Sequence, residues 1–371
     1  MRIAIQASDL DSPRIDGTRV YLLNMLNRFG KIFPSDDFFI FHKDSFNSEL
    51  TPNEFPNYRF ISKGFPIYWT QTRFATELWK GNYEALWMPM QALPFVRRKN
   101  LKTTITIHDL AFKIFPDFFP RKDLRRLNLL TDFAVKNSDK IIAVSNSTKN
   151  DILKFYPEIK EEKIKVIYHG FDPELFQKEV SEELSNKINT KYQILNTRYL
   201  LYVGAIQPRK NMEVLVEAFE KIKKENPKLK LVLAGGKAWM WEGILERISH
   251  SAYGSDIIVT ETIPFEDIAV LYRNASAFVF PSRYEGFGIP ILEAFASKIP
   301  VISAKNSSLG EVGGDAALYF GEKNSGDLAD KIIKVIENGD LRKDLTEKGN
   351  EQIKKFSWEK CARETIEFIK S

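Results

Sequence analysis

Short, continuously apolar runs alternate with amphipathic helical stretches almost from end to end of this chain, and they do so in two successive blocks. In the first block the apolar runs fall at 2–7 (RIAIQA), 38–43, 59–62, 85–89, 103–108 (TTITIH), 140–145 and 164–168. In the second they fall at 199–204 (YLLYVG), 230–235, 256–260, 277–281 (AFVFP), 300–303 and 317–320. Strands buried on both faces read as unbroken apolar runs, whereas half-exposed strands alternate. Helical spacing fits 18–29, 70–80, 122–136 and 146–154, then 211–224, 239–250, 266–273, 290–297, 326–337 and 340–355. Within 211–224, Met212, Leu215, Val216, Phe219 and Ile222 share one face. Strand followed by helix, repeated, builds a parallel sheet covered on both sides. The expected fold is therefore α/β, with two doubly wound Rossmann-like domains. The polar stretch 171–197 has no strand pattern and reads as their linker. This places an N-terminal domain at 1–185 and a C-terminal one at 190–356.

Composition narrows the function classes. A chain of 371 residues with 43% hydrophobic content suits two packed cores. No run approaches the roughly 20 apolar residues of a membrane span, and Met1 leads directly into a strand pattern, so the expected location is the cytoplasm. Cys361 is the single cysteine, which excludes an intramolecular disulfide and a cysteine metal cluster. Residues 1–171 carry 26 Lys/Arg against 19 Asp/Glu, whereas the remainder is slightly acidic. A basic first half suits an anionic surface or is simply solvated. No nucleic-acid module is recognisable.

Two segments carry chemistry. In Pro281-Ser-Arg-Tyr-Glu285-Gly286-Phe287-Gly288-Ile289-Pro290-Ile-Leu-Glu293-Ala294 a buried strand runs into a glycine turn, and Pro290 suits the first turn of a helix. Backbone amides near 287–290 are then expected at the carboxyl edge of a parallel sheet, where open α/β folds bind ligands and helix N-termini attract phosphate. Glu285 and Glu293 are placed to accept hydrogen bonds from sugar or ribose hydroxyls. The second segment, Tyr202-Val-Gly204-Ala-Ile-Gln-Pro-Arg209-Lys210-Asn211, is again strand, turn, helix. Gly204 permits close backbone approach, Asn211 suits an N-cap, and two cations beside a helix start form a diphosphate site.

The spacing from Glu285 to Glu293, the upstream Gly204 with Arg209-Lys210, and the Pro-Ser before Glu285 resemble retaining glycosyltransferase family 4, of the GT-B fold. Asp16-Gly17-Thr18 resembles the family's first glycine loop, and Ile107-His108-Asp109-Leu110 its His-Asp motif. Ala143-Val-Ser145 with Lys149, His169-Gly170-Asp172, and Phe356-Ser-Trp358 match further segments. The wording around Glu285, with Ser307-Ser308-Leu309 and Glu311, is most similar to the mannosyltransferase-like branch. The resemblance implies two domains facing across a cleft, with a terminal helix 357–371 packing back on the first. It also implies hexose transfer from a nucleotide sugar with retention, no metal and no cofactor. GDP-mannose is the favoured donor, UDP-glucose or another nucleotide sugar the alternative, and a non-catalytic sugar-nucleotide binder the alternative of another class. The family's motifs make Glu285, His108, Arg209 and Lys210 the catalytic group. Gly17, Thr18, Gly204, Gly286, Phe287, Gly288, Ile289 and Glu293 join the two cations in binding donor. Glu285 holds the sugar hydroxyls, Glu293 the ribose, and His108 contacts the sugar. Closure over the donor is expected, since only then does the diphosphate gain amides of the Gly17 loop.

Arg19, Asp109, Arg121 and Arg125 are the acceptor-side candidates. Arg121, Lys122, Arg125 and Arg126 share one helical stretch, preceded by Phe112, Phe115, Phe118 and Phe119. That mixture suits a saccharide or lipid-linked saccharide at an anionic membrane surface, or a solvated face over a core cluster. Asp9-Leu10-Asp11 has the wording of a metal site, but no ligand cluster accompanies it. Lys298 stands where the family has glycine, so a backbone permission is lost there.

Overall fold

The computed structural model describes residues 1–65, 67–194, 197–261 and 263–371. The chain forms two compact units. The first comprises Met1–Ile114, Arg121–Gly170 and Phe356–Ser371, and the second Phe115–Pro120 and Phe171–Lys355.

In the first unit seven strands form one parallel sheet: β1 (Arg2–Gln6), β2 (Asp37–His42), β3 (Tyr58–Ser62), β4 (Ala85–Met88), β5 (Lys102–Ile107), β6 (Lys140–Ala143) and β7 (Ile164–Val166), in the order β3-β2-β1-β4-β5-β6-β7. The second unit has β8 (Tyr199–Val203), β9 (Lys230–Ala234), β10 (Ile257–Val259), β11 (Ala277–Phe280), β12 (Val301–Ala304) and β13 (Ala317–Phe320), in the order β10-β9-β8-β11-β12-β13. All pairings between these strands are parallel. Strand order reverses between β1 and β4 and again between β8 and β11. Such switch points open a crevice at the carboxyl ends of the strands. The central strands β4, β8 and β11 are buried along their whole length, as their unbroken apolar runs require, and β1 is buried beyond Arg2.

Two expectations change. The stretch read as a linker contains the helix Glu182–Lys191, capped by Ser181. Lys191 Nζ and Tyr192 Oη both donate to Asp267 Oδ2, at 2.7 and 2.9 Å, so the helix belongs to the second unit. The units therefore divide at Gly170 and Phe171, ahead of the expected 185. Only Ile188 of that helix is buried, which left no apolar period to read. The helix expected from 239 begins at Glu242, after Met240 at φ +57°.

The last helix, Trp358–Lys370, packs in the first unit against the helix Gly17–Ile32. Its Lys370 shares Asp36 with the chain's amino group. At Gly170 a Cβ would lie 2.2 Å from the Trp358 backbone nitrogen, so only glycine admits this approach.

Candidate active site

In the second unit the chain leaves β8 through Gly204, at φ +148°, and crosses close to the end of β9. A Cβ at Gly235 would lie 2.1 Å from the Gly204 carbonyl oxygen, so these two glycines form a thin floor without side chains. The turn Pro208–Lys210 follows and presents Arg209 and Lys210. Both are buried, and both meet Glu285 from the turn after β11. Lys210 Nζ lies 2.5 Å from Glu285 Oε1, and Arg209 Nη1 lies 3.2 Å from Oε2 and also donates to the Tyr284 carbonyl. Burial by itself would raise the Glu285 pKa; the Lys210 and Arg209 charges overturn that and hold it at about 2. Two cations thus share one carboxylate, and the cluster keeps a positive charge. Each oxygen of Glu285, the carboxylate read as the acceptor for sugar hydroxyls, is thus engaged by one of the two cations read as phosphate ligands.

The turn carrying Glu285 is clamped from β12. Ser307 Oγ accepts from the Glu285 amide at 3.0 Å, and Ser308 Oγ bonds the carbonyls of Glu285 and Phe287 at 2.9 and 2.7 Å. Phe287 is buried, and Gly288 takes the left-handed position at φ +113°. Ile289 then opens the helix Ile289–Ala296, with Pro290 in its first turn. Glu293 is half-buried one turn on and accepts from Tyr272 Oη at 3.0 Å. Burial pushes its carboxyl up to about 7 against the Tyr272 hydrogen bond, with Asp172 adding to the rise.

Asn211 was expected to cap the next helix. It sits instead at φ +58° without a cap bond. Its Nδ2 donates to the carbonyls of Pro281 and Glu322, at 3.1 and 2.8 Å, and its Oδ1 accepts from Arg283 Nε at 3.1 Å. Asn211 therefore ties together the loops after β8, β11 and β13. Only its place after Arg209-Lys210 hinted at this; Ser307 and Ser308 stood out in the sequence only through the family resemblance, and Tyr272 left no signal.

In the first unit Asp16 caps the helix Gly17–Ile32 by accepting from the Arg19 amide, leaving Gly17 and Thr18 as its opening residues. The Arg19 side chain binds Asp16 Oδ2 at 2.5 Å and the Asp9 carbonyl at 3.0 Å. It is matched by carboxylate on its own loop, which argues against Arg19 as an open cation for a ligand. Asp11 is a turn anchor, accepting from the amides of Lys43 and Asp44 at 2.7 and 2.9 Å and facing His42. His108, just past β5, donates from Nε2 to the Pro89 carbonyl at 2.8 Å, which leaves the Nδ1 lone pair as an acceptor. Burial lowers its pKa, so the ring is neutral. Tyr21 and His169 pack around it, with ring centroids 5.0 and 5.4 Å away. Asp109 Oδ1 accepts from the Ala111 amide at 3.0 Å and shapes the turn.

Arg121, Lys122, Arg125 and Arg126 are exposed at the start of the helix Arg121–Asn137. Phe112 is core, whereas Phe115, Phe118 and Phe119 belong to the second unit and pack by Tyr284, Arg283 and Trp239. The exposed apolar groups of this unit include Phe95, Val96 and Leu129; Leu129 lies one turn beyond Arg125, and Phe95 packs edge-on against Phe133 of the same helix.

Residues 42–175 match the description Glycosyltransferase Family 4, and residues 184–352 match Glycosyl transferases group 1. The chain belongs to the family 4 glycosyltransferases. It is 28% identical over 270 residues to the O-antigen chain mannosyltransferase B of Escherichia coli, covering 72% of this chain and 70% of that protein. It is 29% identical over 253 residues to the O-antigen chain mannosyltransferase RfbU of Salmonella typhimurium, covering 68% and 64%. The crystal structure of Anabaena HepE in complex with UDP and glucose superimposes with a TM-score of 0.76 at 18% identity, over the full length of both chains. The fold is GT-B.

Proposed function

We propose that this glycosyltransferase moves a hexose from a nucleotide-sugar donor, with retention and without a metal ion, and that the donor is GDP-mannose. The observation that carries the reading is the buried Arg209–Lys210–Glu285 cluster at the β8–β11 switch point. Breaking the sugar–phosphate bond leaves negative charge on the diphosphate. Fixed cations in a site screened from water stabilise that charge as it develops. The amides at the start of the helix Ile289–Ala296 add to the same field. The acceptor hydroxyl attacks the anomeric carbon from the face that the diphosphate leaves, and the departing phosphate oxygen takes its proton. Glu285 holds the two cations in register and lends negative charge near the oxocarbenium-like carbon. Glu293 receives the ribose. His108, neutral and with Nδ1 as an acceptor, serves a sugar hydroxyl.

The acceptor in this reading is a saccharide or lipid-linked saccharide. The four exposed cations at the start of Arg121–Asn137, with Leu129, Phe95 and Val96 exposed on the same unit, suit the headgroup region of an anionic membrane. Among the described residues no helix is long and apolar enough to cross a membrane. A thermal-shift screen over GDP-mannose, UDP-glucose and other nucleotide sugars, followed by transfer assays with the stabilising donor, tests the proposal. Stabilisation by GDP-mannose above the rest is expected. A larger shift with UDP-glucose would replace the donor, and no shift with any nucleotide sugar would overturn the reading.

A further inference from the structure

The charge balance of the cluster leaves a gap. Arg209 and Lys210 share the single carboxylate of Glu285, so about one positive charge remains to face a leaving diphosphate that carries more than one negative charge. A third cation stands at the same turn. The Arg283 amide donates to the Arg209 carbonyl at 2.9 Å, which joins the two arginines through the backbone. Its Nε is fixed by Asn211 Oδ1 at 3.1 Å, and its guanidinium carbon lies 5.6 Å from the centre of the Phe118 ring. Among the described residues no carboxylate pairs with it, in contrast to Arg209, Arg19 and Arg247. With Nε committed, the two Nη groups keep their donors in a planar fork, which is the geometry that matches phosphate oxygens.

The holder of this fork is itself strained and buried. Asn211 is 2% exposed and adopts the left-handed conformation, which has a cost for any residue but glycine and is tolerated best by asparagine and aspartate. Three side-chain hydrogen bonds offset that cost, and one of them aims Arg283. We infer that Arg283, oriented by Asn211, is a phosphate-binding cation of the active site. This rests on the reading of the β8–β11 edge as the donor site. The phosphate comes either from the donor's diphosphate or from a phosphorylated acceptor.

Calorimetric titration of the whole protein separates these cases. In one arm GDP and UDP are compared with guanosine and uridine. In the other, inorganic phosphate is titrated into protein saturated with whichever nucleoside diphosphate binds. For a donor phosphate, Arg283→Gln is expected to weaken nucleoside diphosphate binding about tenfold, with nucleoside binding unchanged and Arg283→Lys recovering part of the loss. For an acceptor phosphate, the loss appears in the second arm alone. Unchanged affinity in both arms would overturn the inference, and wild-type protein that binds no nucleoside diphosphate would instead overturn the donor-site reading. Asn211→Gly keeps the backbone conformation and removes the side chain. Its effect should shrink in the Arg283→Gln background, because the two act as one unit. Full additivity would show that Asn211 does not act through Arg283, and thermal melting of each variant identifies any that fail to fold.

Discussion

At Glu285 and Glu293 the protein sets two carboxyls of one site in opposite directions, and the consequences are separable. Glu285 is held ionised by Lys210 and Arg209 with a pKa of about 2. Its folded pKa lies below the unfolded value near 4.5, so the stability it contributes is present above about pH 4.5 and is lost as pH falls toward 2. Glu285→Gln leaves two buried cations without their counter-ion. It should cost roughly 3–5 kcal/mol of stability as well as catalytic rate, read by thermal melting alongside turnover; an unchanged melt would contradict the buried pair. Glu293 is raised to about 7, so the ionised form costs stability that is progressively lost as pH rises from about 4.5 to 7. If the ribose hydroxyls donate to its carboxylate, the donor's KM falls as pH rises through 7. Glu293→Gln should flatten that profile and raise KM while sparing kcat, because a ribose contact is the same in ground and transition states. A profile in Glu293→Gln that still bends at pH 7 would remove Glu293 from this role. The turn and helix that carry the two glutamates were legible from their glycine and proline neighbours. The pairing of Glu285 was not, because its partners lie 75 and 76 residues away and an ion pair at that separation leaves no spacing pattern.

Elements were legible where burial imposes a period and illegible where it does not. Among the described residues each of the thirteen strands falls on one of the runs read from the sequence; central strands such as Tyr199–Val203 and Ala277–Phe280 are buried on both faces and have no polar position to spare, whereas the edge strand Tyr58–Ser62 is partly exposed. Turns are harder, because their backbone angles depend on what packs nearby. Lys298 is the clearest case: it follows the helix Ile289–Ala296 at φ +59°, a conformation that favours glycine, and its side chain is exposed. Relief of a left-handed conformation is worth about 1–2 kcal/mol, and the extra backbone entropy of glycine takes back roughly 0.5–1. Lys298→Gly should therefore stabilise the protein by about 0.5–1 kcal/mol, measurable as a rise in the denaturant midpoint; a fall would mean that the lysine makes a contact worth more than the strain. Gly170 is the converse. Gly170→Ala drives a methyl into the Trp358 backbone and should cost at least about 1–3 kcal/mol, the range for overpacking. Early loss of hydrogen-exchange protection in Trp358–Lys370 would accompany it, and retained protection at wild-type stability would contradict the packing.

Across the whole molecule, two sheets of the same design place a switch point in each unit, and the cations with the two glutamates fall on the second. The doubly wound architecture followed from the alternation of strand and helix. The division at Gly170 did not, because the helix Glu182–Lys191 is polar on most of its surface and is held by Asp267. The central claim is that side chains of this chain, and not a bound metal, neutralise the leaving diphosphate. Transfer from the accepted nucleotide sugar, followed in excess EDTA for wild type and for Arg209→Ala, tests it most directly. Wild type should keep its rate in EDTA. Arg209→Ala should lose two orders of magnitude or more, about 2.7 kcal/mol of transition-state stabilisation. A wild-type rate abolished by EDTA and restored by Mn²⁺ or Mg²⁺, or a near-wild-type rate in Arg209→Ala, would contradict it.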